Sequence, residues 1–200
     1  QLQYEFAYSD NSYRIDEGNI CSIGECKDGT IRPTRAGLLM FGQEWCIVCD
    51  FPNYFLDYRK QVGDNRRWED RFTSQDGEWP GNLFSFYERA YDKLRQALEV
   101  PFRLEGIYRV DETPAHEALH EAIVNALTNA DYRSSRGVVF RWASGGIELV
   151  NPGCFRVGVK QAYAGGTSDA RNKTVLKMFS LVKVGERAGS GVPNMVDQWM

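Results

Sequence analysis

Histidine is scarce in this chain, with two in 200 residues. Any imidazole-based metal site is therefore confined to His116 and His120 and must take its other ligands from carboxylates or thiols. Apolar runs long enough for a membrane helix are absent, and no signal peptide is visible at the N-terminus, so the expectation is a soluble, cytoplasmic chain without membrane partners. No internal repeat or low-complexity tract occurs. A dominant charge of one sign is missing too: 24 Lys and Arg against 27 Asp and Glu leave a net charge of −3. That balance gives no global pull toward nucleic acid, so DNA contact would need a local patch or another domain. The richest local patch is Arg59 to Arg71, where Lys60, Arg66, Arg67 and Trp68 are interspersed with aspartates; it reads as a solvated loop. What is present is apolar material, 42% of the residues, enough for a sizeable core. The chain starts at Gln1 rather than Met, which suggests an excised fragment.

Five cysteines allow one metal arrangement, a four-thiolate site at Cys21, Cys26, Cys46 and Cys49 with CxxxxC and CxxC spacing. Cys46 and Cys49 lie in the apolar run WCIVC, which reads as a strand, where an odd spacing sends the two side chains to opposite faces. Reduced, buried thiols are the expectation in a cytoplasmic protein. In the same N-terminal half, periodicity predicts a short helix over Arg35 to Phe41 and strands over Trp45 to Phe51 and Tyr54 to Tyr58. It also predicts an amphipathic helix over Leu83 to Leu98, punctuated by Gly81 and Pro101, and a strand over Arg103 to Val110.

The segment His116 to Arg133, HEALHEAIVNALTNADYR, carries two different catalytic signatures on one predicted helix. Thr113 is placed to cap it, Pro114 opens it, and Asp111 and Glu112 sit near its positive end. At about 100° per residue, Leu119, Ala122, Ile123, Ala126, Leu127 and Ala130 form one face and must enter the core. His116, Glu117 and His120 spell HExxH, the pattern of zinc hydrolases, on a shoulder of that face. A third protein ligand has no recognisable motif downstream, and the alternative is a pair of shoulder histidines half in solvent or bonded to nearby carboxylates. Glu121, Asn125 and Asn129 form a stripe on the other side. A carboxylate able to take a proton from water, one turn from an amide oxygen able to sit on a hard cation, suits magnesium-dependent phosphoanhydride hydrolysis. The alternative for this stripe is a solvated face.

Downstream, Val138 to Ala143 and Ile147 to Val150 read as a β-hairpin around Ser144, Gly145 and Gly146, ending on Asn151, Pro152 and Gly153. A helix is predicted around Thr174 to Val182, capped near Asn172. The chain then reaches Gly185, Glu186, Arg187, Ala188, Gly189, Ser190 and Gly191 before a short helix with Pro193 near its start. Glycines opening a helix leave backbone N–H groups facing outward, a ready phosphate site.

Taken in order, an ExxxN helix, a hairpin ending in NPG and a GxxxGSG segment resemble the divergent GHKL-type ATPase domain, the Bergerat fold, of bacterial RecG-related proteins and transcriptional regulators. PTRAGLLMFG (Pro33 to Gly42), FPNYFLDYR (Phe51 to Arg59), GNLFSFYERA (Gly81 to Ala90), ELVNPG and RNKTVLKMF are similar to that family as well. The resemblance implies an α/β fold of the α+β two-layer sandwich type, a mostly antiparallel sheet with helices on one face. It implies a connecting region at 1–110 and an ATP-binding core at 111–200, with part of the sheet truncated after Met200 or donated by the N-terminal half. ATP and magnesium are the implied ligands. Glu121 would be the general base and Asn125 the magnesium ligand through the nucleotide, with Asn129 and Asp131 as further nucleotide-binding residues. Asn151 would accept from the adenine amino group where most relatives use aspartate, and Gly153 would lie beneath the base. Gly189, Ser190 and Gly191 would touch phosphates, and roughly Phe155 to Glu186 would form a lid containing the recurring pair Arg171 and Asn172. DNA would be reached through a Schlafen/Alba-type domain that this chain lacks, and a homodimer is a further implied partner. The neutral Asn151 leaves a second reading, a non-catalytic dimerisation or interaction domain.

Overall fold

The computed structural model describes residues 23–25, 31–61, 63, 67–98, 104–105, 108–109, 113–154, 156–158 and 169–182. Within these the chain forms β1 (Ile23–Glu25), β2 (Ile31–Pro33), α1 (Arg35–Phe41), α2 (Glu44–Asp50), β3 (Leu56–Gln61) and β4 (Asp70–Thr73). It continues with α3 (Leu83–Leu94) and a 3-10 turn (Arg95–Ala97), then β5 (Leu104–Glu105), β6 (Tyr108–Arg109), α4 (Pro114–Asn129), β7 (Val138–Ala143), β8 (Gly146–Val150) and α5 (Lys173–Leu181). Among the described residues no helix is long and apolar enough to cross a membrane.

The main sheet has the order β4-β3-β7-β8. β3 pairs antiparallel with β4 and parallel with β7, and β7 pairs antiparallel with β8. Between β3 and β7 the chain passes through α3 and α4, the long crossover that a parallel pair requires. Alternation along the strands sorts their side chains. Leu56, Tyr58, Phe72, Val138 and Phe140 are buried and share the face covered by α3, whose Phe86 ring lies 5.1 Å from Phe140 and 5.6 Å from Phe72. The other face carries Asp57, Arg59, Arg71, Arg141 and Glu148, with Arg59 in register between Arg71 and Arg141. This is the expected α+β two-layer arrangement, a mainly antiparallel sheet backed by helices.

Short polar side chains fix where the helices start. Thr34 Oγ1 accepts the Gly37 N–H at 3.0 Å ahead of α1, and Asn82 Oδ1 accepts the Ser85 N–H at 2.9 Å ahead of α3. Asn82 is buried because its Nδ2 also donates to Gly42 O at 3.1 Å, tying the start of α3 to the end of α1.

Three segments depart from the sequence expectation. WCIVC lies in helix α2 rather than a strand, because an apolar run this short fits either period and the burial follows a helix, with Cys46 and Ile47 inward and Trp45 and Cys49 outward. Burial raises the Cys46 thiol, but Cys49 and Cys154 are exposed, so the thiols are not uniformly buried as expected. Cys21 and Cys26 lie outside the described residues. The stretch from Arg103 to Val110 holds two short strands, β5 and β6, paired antiparallel with Glu105 opposite Tyr108; Gly106 is the strand-breaking signal in the sequence. The basic stretch from Arg59 to Arg71 is not all loop, since β3 runs to Gln61 and β4 begins at Asp70.

Candidate functional site

The site is built on α4, and its capping uses one of the HExxH histidines. Thr113 precedes the helix, Pro114 opens it, and His116 closes a capping box in which Nδ1 accepts the Thr113 N–H at 3.3 Å. His116 is therefore buried rather than half in solvent. One turn later the His120 ring lies over Tyr91, centroids 3.6 Å apart, and Nδ1 is hydrogen-bonded to the Tyr87 hydroxyl. Both imidazoles thus serve the helix cap and the α3–α4 contact. Among the described residues no group of three or more His, Cys, Asp or Glu is placed to hold a metal ion.

Around α4 the expected core face is buried at Leu119, Ile123, Ala126, Leu127 and Ala130, with Ala122 half-buried. Burial extends further, to Val124 and Thr128, where the Thr128 hydroxyl donates to Val124 O at 2.8 Å and α5 packs alongside. Glu121, Asn125 and Asn129 are consequently half-buried at the margin of a covered helix, not on an open solvated face. Asn129 is engaged inside the protein: Nδ2 donates to Asn125 O at 3.0 Å, and Oδ1 accepts the Arg171 N–H at 3.3 Å.

β8 delivers the Asn151-Pro152-Gly153 turn to the end of this helix. Asn151 is half-buried, Pro152 buried, and Gly153 has φ +113°, a conformation that L side chains rarely adopt. Pro152 O accepts the Asp131 N–H at 2.8 Å, and Asp131 Oδ1 accepts the Arg133 N–H at 3.1 Å. Beneath this junction the buried Tyr132 hydroxyl donates to Leu127 O at 2.6 Å, and burial pushes its phenol well above the ordinary range.

Arg171, for which the sequence supplied no specific role, and Asn172, expected only as a helix cap, join these pieces. Asn172 Nδ2 donates to Thr128 O at 3.1 Å and Ala130 O at 2.8 Å, and its backbone N–H donates to Thr128 O at 2.9 Å. Asn172 does precede α5, as its position suggested, but makes no side-chain cap there. Arg171 Nε donates to Asn129 O at 3.3 Å and Nη2 to Cys154 O at 3.2 Å. No local sequence signal reports such contacts across forty residues. Gly189, Ser190 and Gly191 lie outside the described residues, as do residues 155, 159–168 and 183–186 of the expected lid. Within the lid span α5 is a core helix, burying Val175, Met178 and Phe179, and Arg156 pairs with Asp169 at 3.0 Å.

A second polar cluster, also missed in the sequence, occupies the outer face of the sheet. Asp57 is fully buried and receives Arg59 Nε at 2.8 Å and Nη2 at 2.6 Å, with Arg71 Nε at 3.0 Å and Nη2 at 2.9 Å. Its signal was an acid inside an apolar run, YFLDYR. Two arginines of the basic patch are therefore committed to an internal carboxylate.

The profile of a family described as "Putative ATP-dependent DNA helicase recG C-terminal" matches residues 138–200, and that of a family described as "Domain of unknown function (DUF8451)" matches residues 18–57. No curated protein matches the chain. Among solved structures, the DIP2311 protein from Corynebacterium diphtheriae is similar, with a TM-score of 0.57 and 17% identity, covering 80% of this chain and 31% of that one. The chain thus spans less than a third of that protein, and the likeness is one of fold alone. The helicase-family match runs from β7 through the NPG turn and α5 to the GSG glycines and leaves α4 outside it. Residues 138–200 are thus similar to the C-terminal segment of putative RecG-type, ATP-dependent DNA helicases.

Proposed function

We propose that the chain binds ATP with magnesium, turns it over slowly, and acts as the regulatory module of a cytoplasmic, DNA-associated protein whose DNA contacts lie in another domain. The observation that carries this reading is the docking of the Asn151-Pro152-Gly153 turn, through Pro152 O and Asp131 N–H, on the end of the helix that bears Glu121 and Asn125. The ATPase-like match to the segment containing that turn supports it.

The residues fit the ligands chemically. Magnesium prefers oxygen donors and keeps phosphate oxygens and water in its shell. A half-buried amide oxygen on Asn125 suits one such position. Glu121, one turn earlier, serves as general base for the attacking water. Asn151 Oδ1 accepts one hydrogen bond from an adenine amino group without contributing charge. The backbone of the Asn151-Pro152-Gly153 turn would lie beneath the base, and the backbone N–H groups of Gly189 to Gly191 would bind phosphate. Magnesium, when bound, offsets charge on the phosphates; everything else rests on these side chains and N–H groups.

Calorimetric titration with ATP and magnesium should give saturable binding. Glu121→Ala should abolish turnover while sparing affinity, and equal turnover in the two proteins would remove Glu121 from the role of base. The neutral Asn151 favours a second reading, an interaction or dimerisation domain that has lost nucleotide chemistry. Sedimentation that depends on concentration but not on nucleotide, with no heat on titration, would select it.

A further inference from the structure

We propose that Arg171 is a positioning residue for the base-binding turn, clamping Gly153 and Cys154 to the end of α4 before nucleotide arrives; this rests on the nucleotide reading above. Its guanidinium reaches two segments at once, donating from Nε to Asn129 O and from Nη2 to Cys154 O. A Cβ built on Gly153 would lie 3.1 Å from Nη2 and 3.4 Å from Cζ, so the guanidinium rests on the bare side of the glycine. The Arg171 N–H also holds the Asn129 side chain at 3.3 Å, which removes that amide from the ligand and orients the last turn of the stripe.

The location is favourable for a cation. The last carbonyls of a helix lack intrahelical partners and carry the negative end of the dipole, and here Arg171 and Asn172 donate to those of Thr128, Asn129 and Ala130. The two residues divide the work. Asn172 binds the helix end, so it keeps α5 against α4 when Arg171 is removed. Arg171 adds the link to the turn, and that link sets where Asn151 stands relative to Asn125. Loss of Arg171 should therefore loosen the turn locally and weaken recognition of the base, leaving the magnesium contribution intact.

The test compares wild type, Arg171→Ala, Arg171→Lys and Asn125→Ala as whole chains. Charge-assisted hydrogen bonds of this kind set the scale at about tenfold in affinity. Arg171→Ala should weaken ATP binding about tenfold both with and without magnesium, whereas Asn125→Ala should lose the magnesium-dependent part. Arg171→Lys, which keeps a cation at the helix end, should recover part of the loss. Without nucleotide, hydrogen exchange at the Asp131 N–H should quicken in Arg171→Ala while the α4 interior stays protected. Unchanged ATP affinity in Arg171→Ala, unchanged exchange at Asp131, or protection lost along all of α4 would overturn the clamp and leave the nucleotide reading standing. No ATP binding by wild type would overturn both.

Discussion

Removing Asp57 asks how much of the sheet's outer face depends on one buried charge. The carboxylate is fully enclosed and accepts four N–H donors from two guanidiniums, and its hydrogen bonds raise the pKa of Arg71 further. Deleting one partner of a buried ion pair costs about 3–5 kcal/mol when the remaining charge stays enclosed. Here the Arg59 and Arg71 side chains are 25% and 41% exposed, so water recovers part of their solvation. Asp57→Ala should accordingly fall near the low end, about 3 kcal/mol. Arg71→Ala leaves Asp57 paired with Arg59 and should cost less, about 1–2 kcal/mol. Urea denaturation monitored by circular dichroism measures both, as a lower midpoint with an unchanged m-value. A cost below about 1 kcal/mol for Asp57→Ala, or a larger cost for Arg71→Ala, would refute the reasoning.

Alkaline pH should destabilise the fold, because burial raises the phenols of Tyr54, Tyr58 and Tyr132 above their ordinary value of 10.0. Above that pH the unfolded chain releases these protons while the native state retains them. Their contribution is complete below about pH 10 and declines above it by about 1.4 kcal/mol per pH unit for each tyrosine. Urea midpoints across that range, with tyrosinate absorbance as a second probe, would contradict this if stability stayed level. His120→Ala removes the ring over Tyr91 and the bond to Tyr87 and should lower stability by about 1–2 kcal/mol, while a chelator leaves the wild-type melting temperature unchanged. A fall on chelation would return zinc to the histidines.

Periodic and punctuated segments were the legible ones. α1, α3, α4 and the β7-β8 hairpin stand where apolar spacing, Gly81, Pro114 and Gly146 put them. α2 was misread because WCIVC is too short for its period to register; β3 was legible only over its first residues, within Tyr54 to Tyr58, and its end and β4 were not, because their alternating charges look like a loop until Asp57 is seen to bind the arginines. The pattern of α4 separated its core face from Glu121 and Asn125, but not the burial of Val124 and Thr128, which depends on α5 arriving from far along the chain. For the same reason neither the internal hydrogen bonds of Asn129 nor the contacts of Arg171 were legible. Each is defined by the other, through contacts that no window of neighbouring residues contains.

The central claim is that the α4 stripe and the NPG turn form one magnesium-dependent nucleotide site. Calorimetric titration of the chain with ATP, with and without magnesium, tests it most directly. Saturable heat that strengthens with magnesium in wild type, and loses that strengthening in Asn125→Ala, is the predicted result. Absence of heat under both conditions, or an Asn125→Ala protein that responds to magnesium as wild type does, would contradict it.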